Sequence, residues 1–145
     1  MEKYEALKLD NQLCFPLYVA SKEVIRRYKP ILEKYDLTYT QYIAMMVIWE
    51  EKEIKVTDLG RRLYLDTGTI SPLIRKLKEK GYIEILRDST DERVQVIKLT
   101  VAGNKLKEKA IEIPEEMMKQ KCINLSMEDA IVLKRILGKM IQTNE

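Results

Sequence analysis

Hydrophobic spacing changes period once, and briefly, in the middle of this chain. Around Tyr82 it becomes strand-like: Ile83 and Ile85 alternate with polar neighbours, and Val94, Val96 and Ile97 supply β-branched residues. Between the two runs lies the charged stretch from Asp88 to Arg93, which reads as a hairpin tip. On both sides of this segment the apolar spacing is close to the helical 3.6. A hairpin this small has little core of its own and must lean on helices. The chain is therefore expected to be mainly α, with a small β-hairpin.

The helical segments have recognisable ends. The first runs from about Leu13 to Tyr35, with Pro16 either in its first turn or kinking it. Thr38 and Gln41 form a capping box ahead of the apolar helix Tyr42–Trp49. A short helix is expected around Thr57–Leu63, then a polar turn, Leu65–Thr69, then a helix that stops at Gly81. Thr100 can cap the next helix, which runs to about Ile113, where Pro114 breaks or kinks it. Ser126 and Asp129 suit the cap of a last helix, Ala130–Ile141. Two short helices followed by a hairpin make a winged helix-turn-helix.

Composition excludes several function classes. The length of 145 residues fits one domain. No apolar run approaches the roughly 18 residues that span a bilayer. The mixed N-terminus lacks a signal-peptide core, so a cytoplasmic protein without membrane contact is expected. There is no histidine, which removes Ser-His and Cys-His nucleophile pairs and His-based zinc sites. Cys14 and Cys122 are too few for a structural zinc site, and in a reducing compartment a permanent bridge is not expected. No metal or cofactor is expected. Residues 55–99 hold 10 basic and 7 acidic side chains, whereas the flanking thirds nearly cancel. That is a mild basic bias where the helix pair and hairpin lie, though charge alone also fits a solvated face.

A helix fits the major groove of B-DNA, and its N-terminal residues reach base edges. Thr67, Thr69 and Ser71 are small hydrogen-bonding groups near the start of the expected reading helix, and Arg75 and Lys76 add basic reach. Taken singly, each of the three small residues serves equally as a cap. At the hairpin, Arg93 follows Asp91 and Glu92, with Arg87 across from it. A guanidinium on a hairpin tip can enter a narrow minor groove, and a neighbouring carboxylate can hold it in position. The alternative is a surface ion pair worth little.

The stretch from Asp58 to Thr100, with Asp91-Glu92-Arg93 in the wing, resembles the DNA-binding core of the MarR family, and the likeness extends over nearly the whole chain. It implies a symmetric homodimer on a roughly palindromic double-stranded operator. Residues of about 1–36 and 101–145 would be dimerisation helices around a core of about 37–100.

The stretch from Asn11 to Ile43 narrows the likeness to the organic-hydroperoxide-resistance regulators, the OhrR branch of thiol-based redox sensors. That resemblance makes Cys14, in Leu13-Cys14-Phe15, the peroxide-reactive thiol, with Tyr18, Tyr28 and Tyr39 around it. Pro16 departs from the branch, where a non-proline aliphatic residue is usual. Some relatives use a second cysteine to form a disulfide with the sensor of the other subunit, and Cys122 is the candidate here. Equally, Cys122 can be a partly buried thiol without a role.

From below, the chemistry is reasonable. A thiolate attacks a peroxide to give a sulfenic acid. A phenolic O–H or a helix N-terminus can stabilise the thiolate. Cys14 and Tyr18 are one helical turn apart. Cys14 and Tyr28 are separated by roughly 21 Å of helix at 1.5 Å per residue, so any contact between them comes from a partner chain. The expected function is a repressor, not an enzyme, released from DNA when Cys14 is oxidised. The alternative is a regulator that responds to a small aromatic ligand at the dimer interface.

Overall fold

A computed structural model describes residues 2–142. Two short 3₁₀ turns, Glu5–Leu7 and Leu9–Asn11, precede α1 (Cys14–Glu33). Then come α2 (Tyr39–Glu51), β1 (Glu53–Lys55), α3 (Val56–Leu63), α4 (Thr67–Glu79), β2 (Ile83–Arg87), β3 (Gln95–Leu99), α5 (Val101–Ala110), α6 (Glu112–Lys119) and α7 (Met127–Gln142). Among the described residues, no helix is long and apolar enough to cross a membrane.

Helix α2 is the hub. Tyr42, Ala44, Met45, Val47, Ile48 and Trp49 are all buried, so it is apolar on most sides and other helices close around it. Its start is the capping box expected from the sequence. Thr38 Oγ1 accepts from the Gln41 N–H at 3.3 Å, and Gln41 Oε1 accepts from the Thr38 N–H at 3.1 Å. Trp49 Nε1 donates to the Gly103 carbonyl at 2.9 Å and ties α5 to the hub.

The wing is larger than a hairpin. β1 pairs antiparallel with β3, which also pairs with β2, giving the order β1-β3-β2. Ile97, fully buried, lies in the middle strand between Ile54 and Ile85. The third strand corrects the two-stranded expectation. It has only three residues and one apolar side chain, so its conformation is set by the partner strand and not by its own pattern.

Other ends fall close to the sequence reading. Pro16 is the third residue of α1, in the first turn, where a missing N–H costs nothing. Gly81 ends the α4 segment at φ 84°. Thr100 Oγ1 accepts from the Gly103 N–H at 3.0 Å, and Ser126 Oγ from the Asp129 N–H at 3.0 Å. Pro114 is different. It does not end a helix running to Ile113; α5 stops at Ala110, and Pro114 sits in the first turn of the separate helix α6. Pro30 and Pro72 lie inside α1 and α4, each removing one internal N–H.

Helix α6 closes with a Schellman turn. Lys121, at φ 51°, donates its N–H to Met118, and the Cys122 N–H reaches the Met117 carbonyl at 3.2 Å. Met117 and Cys122 are both buried, as the apolar contact of that motif requires. Arg27 of α1 donates to the Cys122 carbonyl at 2.7 Å, and Lys34 pairs with Glu116 at 2.7 Å, so α6 is held along α1.

Candidate nucleic-acid interface and thiol site

Asp66 is the N-cap of α4, its carboxylate accepting from the Thr69 N–H at 2.9 Å. Hydrogen bonding from the Thr69 side chain, then from its N–H, holds the Asp66 carboxyl below its ordinary range. Ile70, Leu73, Ile74 and Leu77 turn the opposite face into the core, which leaves Thr67, Thr69, Ser71, Arg75 and Lys76 exposed together. Thr67 is the first helical residue and Thr69 the third, so both stand in the first turn of α4 as the expected reading helix has them, and the polar turn before it is shorter than Leu65–Thr69. Asp66 is not assigned as a cap from sequence, yet the signal is present: an Asp just before a helical run is a known start.

At the wing, Asp88 accepts from the Thr90 and Asp91 backbone N–H groups and orders the tip. The guanidinium of Arg93 donates twice to Asp91, from Nε and from Nη2, each at 3.1 Å. The first of these partners for Asp91, the Arg93 side chain, lowers its carboxyl from the usual value. Arg93 is 91% exposed and thus oriented without being covered. Arg87 Nη1 reaches the Glu92 carbonyl at 3.3 Å, across the same hairpin.

Thr67, Ser71 and Arg93, all expected from sequence, line one cleft of about 550 Å³ between the wing and the starts of α3 and α4. Lys55, Thr57 and Gln95 line it too. None of these three is singled out by the sequence as a site residue; Lys55 ends the unforeseen strand β1, Thr57 stands in the first turn of α3, and Gln95 opens β3.

Cys14 is the first residue of α1 and is exposed, with Tyr18 one turn on and also exposed. The Lys22 ammonium lies 5.0 Å from the Tyr18 ring centre, one further turn along. Tyr28 and Tyr39 are elsewhere. Their ring centres are 5.1 Å apart, and Tyr28 is 6.0 Å from Tyr42. Burial, then the neighbouring Tyr39 and Cys122, raises the Tyr28 hydroxyl above its ordinary value. Within one chain the expected group thus divides in two: Cys14 with Tyr18 at one end of α1, and Tyr28, Tyr39 and Cys122 towards the other. Cys122 is a free, buried thiol.

A basic helix face paired with an Arg-tipped β wing, both leaning on one helical core, defines a winged helix-turn-helix DNA-binding transcriptional regulator. The chain belongs to the SarA/Rot family of transcriptional regulators, of the MarR winged-helix type; the family model matches residues 26–110. It is 41% identical over 144 residues to the organic hydroperoxide resistance transcriptional regulator of Bacillus subtilis, covering 97% of this chain and 95% of that one. Its fold is similar to that of reduced AbfR bound to DNA, with a TM-score of 0.83, 28% identity, and coverage of 99% and 100%. A mutant of MarR from E. coli complexed with operator DNA shares the fold at a TM-score of 0.82 and 21% identity, covering 97% and 99%.

Proposed function

We propose that the protein is a homodimeric repressor that leaves a roughly palindromic operator when Cys14 is oxidised by an organic hydroperoxide or a related thiol oxidant. The observation that carries this reading is the seat of Cys14. It is an exposed thiol at the head of a 20-residue helix with no acidic side chain in its first turn. Phe15, Tyr18 and Val19 expose apolar surface beside it, which suits a peroxide with an organic tail. The name of the Bacillus relative supports the same chemistry.

In the reaction, the thiolate sulfur attacks one peroxide oxygen. An S–O bond forms, the O–O bond breaks, and the alkoxide takes a proton and leaves as an alcohol. Sulfur is oxidised to sulfenic acid and the peroxide is reduced. The event happens once per thiol, so the protein acts as a sensor and not as an enzyme.

Dimer formation is supported by helix α7, which has no buried residue yet carries Ile131, Val132, Leu133, Ile136 and Met140. A second copy would cover that surface and bring Tyr28 of one subunit towards Cys14 of the other. Cys122 would have to leave its Schellman seat before it could condense with the oxidised thiol of a partner.

The test is binding to a duplex selected from a random pool by the reduced protein, before and after one equivalent of cumene hydroperoxide. Wild type should be released, and Cys14→Ser should stay bound. If Cys14→Ser is released as readily as wild type, the sensor is not Cys14. A second reading, release by a small aromatic acid, is favoured by a cleft of about 370 Å³ where Arg26, Lys29 and Lys80 face Leu32 and Tyr39. On that reading an aromatic acid also releases Cys14→Ser.

A further inference from the structure

Among the described residues, Gln41 is the one buried polar side chain, at 7% exposure. A buried amide oxygen has two lone pairs to satisfy. One takes the Thr38 N–H of the capping box, and the other takes the ammonium of Lys80 at 2.9 Å. Lys80 is the C-cap of α4, the helix placed to read DNA. The same ammonium donates to the carbonyl of Asp36, with the Asp36 carboxylate at 3.6 Å. Asp36 itself sits at φ 53°, in the turn that joins α1 to α2. One lysine therefore fastens the end of the reading helix to the end of α1 and to the first turn of α2.

The first turn of α2 is also where the tyrosines meet. Tyr39 is its first residue, and the Tyr28 ring rests against it. A shift of Tyr28 or Tyr39 displaces the turn that carries Gln41. If Gln41 moves alone, its buried oxygen loses the Lys80 donor, and an under-satisfied buried polar atom is costly.

We infer that Lys80 is a positioning residue that makes the orientation of α4 depend on the state of the Tyr28–Tyr39 pair. This rests on the thiol-sensor reading above, in which a second copy brings Tyr28 of one subunit towards Cys14 of the other, where oxidation of the thiol would disturb the tyrosine pair. A lysine that only braces the fold would strengthen DNA binding equally in the reduced and oxidised protein. A lysine that transmits the signal changes the ratio of the two affinities.

The experiment uses the full chain as Lys80→Met, which keeps the stem and removes the charge, and Lys80→Arg, which keeps the donors. Operator affinity is measured by fluorescence anisotropy before and after cumene hydroperoxide, and mass spectrometry records oxidation of Cys14. The expected result is that Lys80→Met is oxidised like wild type, yet its loss of affinity on oxidation shrinks by about fivefold or more, the lower range of allosteric couplings. Lys80→Arg should restore most of the response. If Lys80→Met does not fold, Lys80→Gln, which retains a neutral donor, takes its place with the same expectation. An unchanged ratio in the folded variant overturns the inference, as does an equal loss of affinity in both states. A wild-type protein that stays on DNA with Cys14 fully oxidised overturns the sensor reading itself, so the two failures are told apart.

Discussion

Gly103→Ala should destabilise the fold, and the size of the effect follows from three contacts. Gly103 is the third residue of α5, where its N–H completes the Thr100 cap and its carbonyl receives the Trp49 indole. The helix approaches the wing root so closely that a Cβ there would lie 2.2 Å from the Tyr82 carbonyl oxygen and 2.7 Å from Leu99 Cδ1. A carbon–oxygen contact of about 3.3 Å is the ordinary close limit, so α5 must withdraw by roughly 1 Å. Overpacking of this kind costs about 1–3 kcal/mol. Stretching the Trp49 bond adds about 0.5–1.5 kcal/mol. Alanine returns up to about 1 kcal/mol in helix propensity. With that full return the net loss is about 0.5–3.5 kcal/mol, which for a chain near this size lowers Tm by roughly 1–14 °C. Thermal unfolding followed by circular dichroism at fixed protein concentration reads this directly, and the emission of Trp49, the single tryptophan, reports the loosened contact. Gly68→Ala is the comparison, because its Cβ would meet only Asp66 Oδ1 at 3.5 Å, so its Tm should hold or rise. If the two alanine variants melt together at the wild-type temperature, the close approach of α5 to Tyr82 is wrong.

Arg93→Ala should weaken operator binding by about 1–3 kcal/mol, or roughly 5- to 150-fold, while thermal stability holds, because its ion pair is on the surface. Asp91→Ala should weaken binding several-fold only while Arg93 is present to be oriented; tighter binding by that single variant would mean that Asp91 merely repels phosphate. Ile97→Ala, at the fully buried centre of the three-stranded wing, should cost about 2–5 kcal/mol in urea unfolding, and a cost near zero would contradict the packing of β1 on β3. Burial, with Tyr28 and Tyr39 as neighbours, pushes the Tyr42 hydroxyl from 10.0 up to about 12, so the folded state favours its neutral form. Its contribution is whole below pH 10 and is lost as pH rises towards 12. Tyr42→Phe should therefore lose stability less steeply over that interval, and an identical slope would reject the assignment.

What the sequence determined by itself is local. The Thr38–Gln41 box, the Thr100 and Ser126 caps and the stop at Gly81 each depend on a few adjacent residues satisfying helix-end groups, so their chemistry can be read in order along the chain. The amphipathic reading helix and the Asp91–Arg93 pair were legible for the same reason, being neighbours in sequence and in space. Tertiary structure decided whatever needs a distant partner. Strand β1 exists because β3 offers it a ladder; Glu53-Ile54-Lys55 alone has too little apolar pattern to announce a strand. The distance from Cys14 to Tyr28 within one chain was already legible as helix length, but the contact of Tyr28 with Tyr39 follows from how α2 packs back on α1. Gln41 looked like a cap residue and no more; that its oxygen also holds Lys80 depends on two positions 39 residues apart in sequence. Such contacts leave no periodic trace in the chain, because each is fixed only when the whole core closes and brings the two segments within hydrogen-bonding reach.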